Sequence, residues 1–352
     1  MLRISYITPH AAASGERWRR CRLRHKLGSL VGMLRLLLAL LLTGCAASAP
    51  ARPTATPPAS IAAPAPAERP LFLFTVEREG RPTSYLHGSV HVLKQQGDGS
   101  EPAIDRAFEE ADALVVEVDI EKVDQQALQA LTLQLAMYPP DDDLTQHLSP
   151  EAWQQLLPML EKLGLPASGA QRMRPWFLSI TVAMLGLQAE GYSGEAGVDR
   201  RYLSSAHGAP EPHPVIELET AEQQLQTLAG LPEQVQLLML EDALLKVDDN
   251  AYSESMFDAW YAGDIEGMAA VLFKPLRAEP RLEPLYEALF FARNRSMTER
   301  LVQLLEQDRS YFVVVGAGHL AGPGSIPELL RGRGYRVEQV RVARSEQDGL
   351  RQ

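Results

Sequence analysis

Cysteine is nearly absent from the 352 residues: there are two, Cys21 and Cys45. Two cysteines build neither a disulfide-rich scaffold nor a cysteine-based zinc finger. An excess of positive charge is also missing. The chain carries 34 Lys and Arg against 45 Asp and Glu, a net charge of -11. That balance argues against a general nucleic-acid binder, because phosphate contacts need clustered Lys and Arg. No apolar run reaches the roughly 20 residues that a transmembrane helix needs. HExxH, GxSxG, a P-loop and a GxGxxG after a strand are all lacking, so the chemistries those motifs serve are set aside. What is present is a globular composition, 45% apolar and 22% charged, long enough for one large domain or two modest ones.

The first 70 residues read as an address and a tether. Residues 36–42 are LLLALLL, preceded by Arg35 and a basic stretch from Arg17 to Lys26. A positive segment followed by a short apolar one is a secretory signal peptide. It ends in Leu42-Thr43-Gly44-Cys45, which resembles the lipobox of bacterial lipoproteins, with Cys45 as the acylated new N-terminus. Met33 would begin a compact version of the same peptide. Residues 1–44 hold eight of the bases and one acid, so the remainder carries 26 bases and 44 acids, net -18. Acyl chains on Cys45 would hold the protein at a membrane, each buried CH₂ contributing about 0.8 kcal/mol. Ala46 follows the cysteine where an acidic inner-membrane retention signal would stand. The expected location is therefore the bacterial cell envelope, at the outer membrane facing the periplasm. Residues 45–70 comprise Cys45 and an Ala/Pro-rich spacer without a core. The folded domain is expected over 71–346, with a short tail at 347–352.

Within that domain, residues 71–76 and 84–86 predict a β-hairpin around the turn at 77–82. Residues 113–119 (ALVVEVD), 215–216, 311–315 (YFVVV) and 335–342 predict further strands. Helical patterns fill 104–111, 121–138, 150–187 with breaks at Gly164, Pro166 and Pro175, 220–248, 251–273 and 282–306. Strands thus cluster at both ends and helices in the middle. The predicted fold is α/β (or α+β): a central mixed sheet built from both ends of the domain, flanked by helices, with a helical middle.

Two Gly-x-x-His motifs carry the candidate chemistry. Gly88-Ser89-Val90-His91 follows one strand, and Gly316-Ala317-Gly318-His319 follows another. Ligands of open α/β sheets gather outside the carboxyl ends of strands. Glu117 lies in the apolar run 113–119, where an acid is costly unless paired or bound to a metal. Two imidazoles and a carboxylate make a plausible ligand set for a transition metal, with Mn, Co, Fe and Zn all acceptable on ligand type. Each motif alone is weak. His87, His147, His207 and His213 are read as structural, and the aromatic helix around Tyr252, Met256, Phe257, Trp260 and Tyr261 as core.

In order and context, these elements resemble the TraB/GumN family, which includes the pheromone-shutdown proteins and the TIKI Wnt-cleaving proteases. The matching segments are LFLFTVEREGRPTSYLHGSVHVL, ALVVEVD, Gly197-Val198-Asp199, Leu218-Glu219-Thr220 with Gln223, Arg293-Asn294 and YFVVVGAGHLAGPGSIPELLRGRGYRV. His87 departs from the pattern, where an apolar residue is expected. The resemblance implies a fold like the erythromycin esterase-like and ChaN-like proteins, and a metal-dependent hydrolase, in particular a peptidase. It places His91, Glu117 and His319 at the metal or catalytic positions and Arg293 at the functional arginine. Glu117 would be a third ligand or the general base, and Arg293 would stabilise a developing oxyanion. Asp199, Glu217, Glu219 and Asn294 are candidates for orienting these groups. Membrane attachment through Cys45 and a peptide or protein substrate are the expected partners. Two alternatives stay open: a non-catalytic haem- or iron-binding lipoprotein, without a CxxCH for covalent haem, and an interaction module.

Overall fold

The computed structural model describes residues 68–94, 100–211, 213–246 and 250–343. The expected signal peptide, Cys45, the spacer up to residue 67 and the 347–352 tail lie outside the described residues. Six strands form the main sheet: β1 (Glu68–Glu77), β2 (Ser84–Ser89), β4 (Ala113–Val116), β6 (Val215–Glu217), β7 (Tyr311–Gly316) and β8 (Arg336–Ala343). Their order is β6-β4-β7-β2-β1-β8. β1 runs antiparallel to both β2 and β8, while β2, β7, β4 and β6 are mutually parallel. The sheet is therefore mixed and joins both ends of the domain. A second, two-stranded sheet pairs β3 (Leu93–Lys94) with β5 (Tyr192–Ser193), too short for any periodicity to announce.

Sequence composition explains the layering. β4 is buried at every residue and β7 at all but its last, as expected of parallel strands covered on both faces. The helix Val198–Gly208 buries Tyr202, Leu203 and Ala206 in the sheet's core, and Ala292–Leu305 adds Met297, Leu301 and Leu304. The helical middle builds its own core around Trp176, Leu178, Leu156 and Leu160. Among the described residues no helix is long and apolar enough to cross a membrane.

Several boundaries differ from expectation for local reasons. β1 begins at Glu68, inside the expected spacer, because Glu68 and Pro70 pair with Ala343 and Arg341 of β8. The strand expected over 113–119 ends at Val116, so Glu117 stands just past the strand, not inside it. The helix expected from residue 121 starts at Gln125, where the Asp124 carboxylate accepts from the N–H groups of Gln126 and Ala127. The helix over 251–273 is split at Gly263-Asp264. The one over 282–306 contains a π-helical stretch, Glu287–Phe291.

His87 sits 1% exposed against the rings of Tyr202 and Phe312, with Nδ1 2.9 Å from the Phe72 carbonyl. Burial lowers its pKa to about 4. Its unfolded value is about 6.5, so between those values the unfolded chain takes up the proton and the fold refuses it. This histidine is therefore expected to cost up to about 3 kcal/mol of stability as pH falls from 6.5 to 4, and nothing above 6.5. In urea unfolding at pH 7 and pH 4, His87→Phe should shrink the difference between the two by that amount. An unchanged difference counts against a neutral buried imidazole.

Candidate active site

The four parallel strands β2, β7, β4 and β6 all end on the same side of the sheet. The chain continues from those ends into His91, His319, Glu117 and Glu219. Residues more than 200 positions apart are thus delivered to one place by parallel pairing: Gly88 lies beside Val315 and Ser89 beside Gly316.

Gly316 marks the meeting point. A Cβ at this glycine would stand 3.3 Å from Glu117 Oε1, 3.6 Å from His319 Cδ2 and 3.7 Å from His91 Nε2. The absence of a side chain is what leaves room for the three to converge. His319 is 4% exposed. Its Nδ1 is 2.5 Å from Asn294 Oδ1, and Asn294 Nδ2 donates to the Gly324 carbonyl at 2.8 Å. That second bond fixes which end of the amide is which. Asn294 Oδ1 must accept, so His319 Nδ1 carries the proton and Nε2 keeps its lone pair. Nε2 lies 3.7 Å from Glu117 Oε1. Burial lowers the His319 pKa to about 4 against the opposing pull of Glu117, so the ring is neutral at pH 7.

His91 is the exposed partner, its side chain 66% accessible. Its Nδ1 faces Asp199 Oδ2 at 3.2 Å, which leaves Nε2 directed to the Gly316 side. The Asp199 carboxylate raises its pKa to about 9, with a smaller push from Glu117. Water around so open a ring screens the pair. Each imidazole is therefore held through Nδ1 and offers Nε2 to a shared space, the orientation that metal-binding histidines take when a neighbour accepts from their other nitrogen.

Glu117 is bound on both oxygens. Oε1 accepts the Gly316 N–H at 2.6 Å. Oε2 accepts from Arg293 Nη2 at 2.5 Å and from Gln224 Nε2 at 3.3 Å. Burial raises its pKa, but His319, Arg293, His91 and the Gly316 N–H together bring it down to about 2. At neutral pH His319 carries no charge, so the counterions are Arg293, which is permanent, and the more exposed His91. That guanidinium also bonds Glu219 through Nε and Nη2 and the Leu289 carbonyl through Nη1. Burial works against its charge and the two carboxylates outweigh that effect, raising its pKa.

The residues nominated from sequence thus meet in two shells of contact: His91, Glu117 and His319 about Gly316, with Asp199, Glu219, Arg293 and Asn294 bonded to them. Two residues named from the sequence lie apart from this group. Glu217 turns away and accepts the Asp119 N–H at 2.7 Å. Gln223 serves a capping box with Thr220. The next residue, Gln224, bridges Glu117 and Glu219 instead. Helical phase one position past the cap is the signal that could have found it. A ligand role for Glu117 competes with the bonds its oxygens already make. Among the described residues no group of three His, Cys, Asp or Glu side chains is disposed to hold a metal ion. His91, Glu117 and His319 are neighbours without closing a ligand cage, because Glu117 spends its oxygens on Gly316, Arg293 and Gln224. The oxyanion role expected of Arg293 meets the same obstacle, since its donors are largely committed to two carboxylates.

The TraB/PrgY/gumN family profile matches residues 72–339, a span that begins in β1 and ends in β8 and includes every site residue described. The chain belongs to the TraB/PrgY/gumN family. It is similar to "Uncharacterized protein YbaP" of Escherichia coli (strain K12), 28% identical over 248 residues, which cover 70% of this chain and 87% of that protein. The Shigella flexneri protein of the same name is 28% identical over 253 residues, 72% of this chain and 89% of its own length. "Metalloprotease TIKI1" of Danio rerio is 24% identical over 317 residues, 76% of this chain and 63% of that protein. No solved structure matches the chain, so the expected likeness to erythromycin esterase-like and ChaN-like folds gains no support beyond the mixed, helix-flanked sheet.

Backbone packing also constrains His91. The Gly197 position, ahead of Asp199, leaves no space for a methyl group: its Cβ would stand 2.6 Å from the His91 carbonyl oxygen. Gly197→Ala is therefore expected to push the His91 and Asp199 backbones apart and to cost about 1–3 kcal/mol. Thermal unfolding and the chemical shift of the His91 ring would both report it. Unchanged values in both would show that the loop yields freely.

Proposed function

We propose that this family member is a metal-dependent hydrolase acting on peptide bonds. The observation that carries the reading is the pair of imidazoles anchored through Nδ1 with both Nε2 atoms turned to one space at the strand ends. The similarity to Metalloprotease TIKI1 and Metalloprotease TIKI2 of Danio rerio supports it. The donor chemistry fits a transition metal of the Mn, Co, Fe or Zn kind, which His91 and His319 would hold. When bound, such an ion polarises a carbonyl and activates water.

The remaining roles belong to the chain. Asn294 holds His319 in the tautomer that leaves Nε2 free. Asp199 orients His91, whose Nε2 would have to be free of its proton to hold such an ion, so binding would weaken as pH falls. A carboxylate held near 2 is a poor proton acceptor at neutral pH, so Glu117 acts by orientation and charge, fixing the Gly316 N–H beside His319. Arg293 keeps Glu117 and Glu219 ionised and in place.

The test is metal content of the purified protein, made without a His tag, against the His91→Ala/His319→Ala double variant. Near-stoichiometric divalent metal in the wild type, lost in a folded double variant, together with metal-dependent peptide cleavage, is the expected result. No retained metal after reloading with Mn, Co, Fe and Zn would overturn the reading.

We further propose that Cys45 is lipidated and tethers the protein to the cell envelope, from the Leu42-Thr43-Gly44-Cys45 pattern. In cells fed an alkyne-tagged fatty acid, the label should appear in the wild type and vanish in Cys45→Ser. Equal labelling of both rejects the tether.

A further inference from the structure

Asn294 selects the nitrogen of His319 that carries the proton, but a single hydrogen bond leaves the ring free to rock about it. A second contact comes from the same stretch of helix. Phe290 stands four residues before Asn294, the spacing that puts two side chains on one face of a helix. Its ring centroid is 5.5 Å from that of His319, with the planes at 51°, inside the range of aromatic contact. One i, i+4 pair thus touches the imidazole twice, Asn294 at Nδ1 and Phe290 at the ring.

Gly318 is the mark this contact leaves in the sequence. Its φ lies outside the left-handed region, so its backbone conformation does not call for glycine. The space does. A Cβ at Gly318 would stand 2.8 Å from Phe290 Cε1 and 3.2 Å from Leu272 Cδ2. The Gly316-Ala317-Gly318-His319 motif therefore uses its glycines for two different approaches. Gly316 leaves room for Glu117 and the imidazoles, and Gly318 leaves room for the Phe290 ring.

Phe290 is braced from behind. The rings of Tyr286 and Phe273 lie 5.8 and 6.1 Å from it, and the Tyr286 hydroxyl donates to the Leu272 carbonyl at 2.8 Å. These residues belong to one apolar cluster, and packing accounts for their contacts with one another. It does not by itself account for three further features. Phe290 is half-buried, not enclosed. It sets its ring against a polar side chain of the site. It also belongs to the π-helical stretch Glu287–Phe291, a rare geometry that gathers at functional sites.

We propose that Phe290 is a positioning residue for His319: the π-helical stretch sets its ring against the imidazole, and Phe290 and Asn294 together hold Nε2 toward Glu117. The inference rests on the hydrolase reading only in taking His319 as a working group of the site.

The test reads the His319 ring in the full chain at pH 7, with ¹⁵N-labelled histidine and the signal assigned by its loss in His319→Gln. The Nδ1 proton should exchange slowly in the wild type. In Phe290→Ala the ring can swing off Asn294, and exchange should quicken by about tenfold or more. Phe290→Leu keeps most of the bulk and should recover part of the protection. Gly318→Ala drives a methyl group into the place of the Phe290 ring and should quicken exchange as well. Both changes act on one contact, so Gly318→Ala/Phe290→Ala should exchange about as fast as Phe290→Ala alone, short of the product of the two effects. Leu282→Ala, in the same apolar cluster, is the packing control: it should lower the unfolding midpoint and leave the ring signal in place. The proposal is overturned if folded Phe290→Ala keeps the wild-type exchange rate, if Leu282→Ala quickens exchange as much, or if the Gly318 and Phe290 effects multiply. Should Phe290→Ala not fold, unchanged exchange in both Phe290→Leu and Gly318→Ala overturns it. These readouts need neither metal nor turnover, so their failure leaves the hydrolase reading untouched.

Discussion

Arg293→Met should destabilise the protein by about 3–5 kcal/mol at pH 7, the range for removing one member of a buried ion pair. The side chains of Arg293, Glu117 and Glu219 are only 16%, 11% and 12% exposed. Without the guanidinium, two carboxylates would face each other with Gln224 and the Gly316 N–H as their main donors. Attraction within the triad is not the reason for so large a loss. The cost comes from the charges left behind, which must be protonated or hydrated. The triple variant Arg293→Met/Glu117→Gln/Glu219→Gln should therefore recover much of the loss, although it too lacks both ion pairs. The contrast with surface pairs sharpens the expectation. Arg281–Glu279 has an arginine 67% exposed, and removing it should change stability by less than about 1 kcal/mol. Urea unfolding of the four proteins measures all of this. An Arg293→Met loss as small as that of the surface pair would mean that water reaches the triad.

The same triad sets a pH limit. The folded pKa of Glu117 is about 2, below the roughly 4.3 of an unfolded glutamate. A depressed carboxylate contributes stability above its unfolded value and loses it as pH falls through the folded one. The loss from Glu117 thus belongs between about pH 4 and 2, below the window in which His87 acts. In Arg293→Met the Glu117 window should move upward, because the permanent counterion is gone.

How much of this was legible in the chain depends on range. The strands were visible because β4 and β7 are apolar runs buried on both faces, and Gly-x-x-His stood at the ends of two strands. The convergence of His91, Glu117 and His319 followed once strand ends were read as ligand sites. What the pattern could not convey is which group bonds to which. Glu117 looked like a ligand because acids in apolar runs invite that reading. Its position one residue past β4 lets Arg293 and the Gly316 N–H satisfy it instead. Arg293 and Asn294 are adjacent in sequence, and adjacent helical residues point about 100° apart. They nevertheless serve one site, because each reaches a different group: Arg293 to Glu117 and Glu219, Asn294 to His319. The π-helical stretch Glu287–Phe291 leads directly into them. π-bulges are rare and gather at functional sites, and the segment EALFFARN carries no local pattern that distinguishes π from α. Gln224 was hidden for a related reason. The family pattern singles out Gln223, which the structure uses to cap its helix, while its neighbour Gln224 is the amide that bridges Glu117 and Glu219.

Asn294 offers the sharper test of the site's design, because two substitutions separate its roles. The residue is 1% exposed and makes two bonds of opposite kind, accepting from His319 and donating to Gly324. Asn294→Leu removes both, leaving the His319 Nδ1–H and the Gly324 carbonyl unpaired, at about 1–3 kcal/mol for each buried group. The ring is then free to move its proton to Nε2, and affinity for a divalent ion is expected to fall about 10–100-fold, the usual effect of losing a partner that orients a ligand. Asn294→Asp keeps an acceptor for Nδ1 and loses the donor to Gly324. It should be less stable than the wild type yet retain the Nδ1-protonated ring, and with it most of the affinity. Added negative charge beside the imidazole raises the His319 pKa, so the Asp variant should also lose its metal at a higher pH than the wild type. Zinc titrations at pH 7 and pH 6, read beside unfolding curves, distinguish the two. If both variants lose affinity in proportion to their stability, Asn294 acts only as a packing residue. If the Leu variant alone loses it, the amide works by choosing which nitrogen of His319 carries the proton.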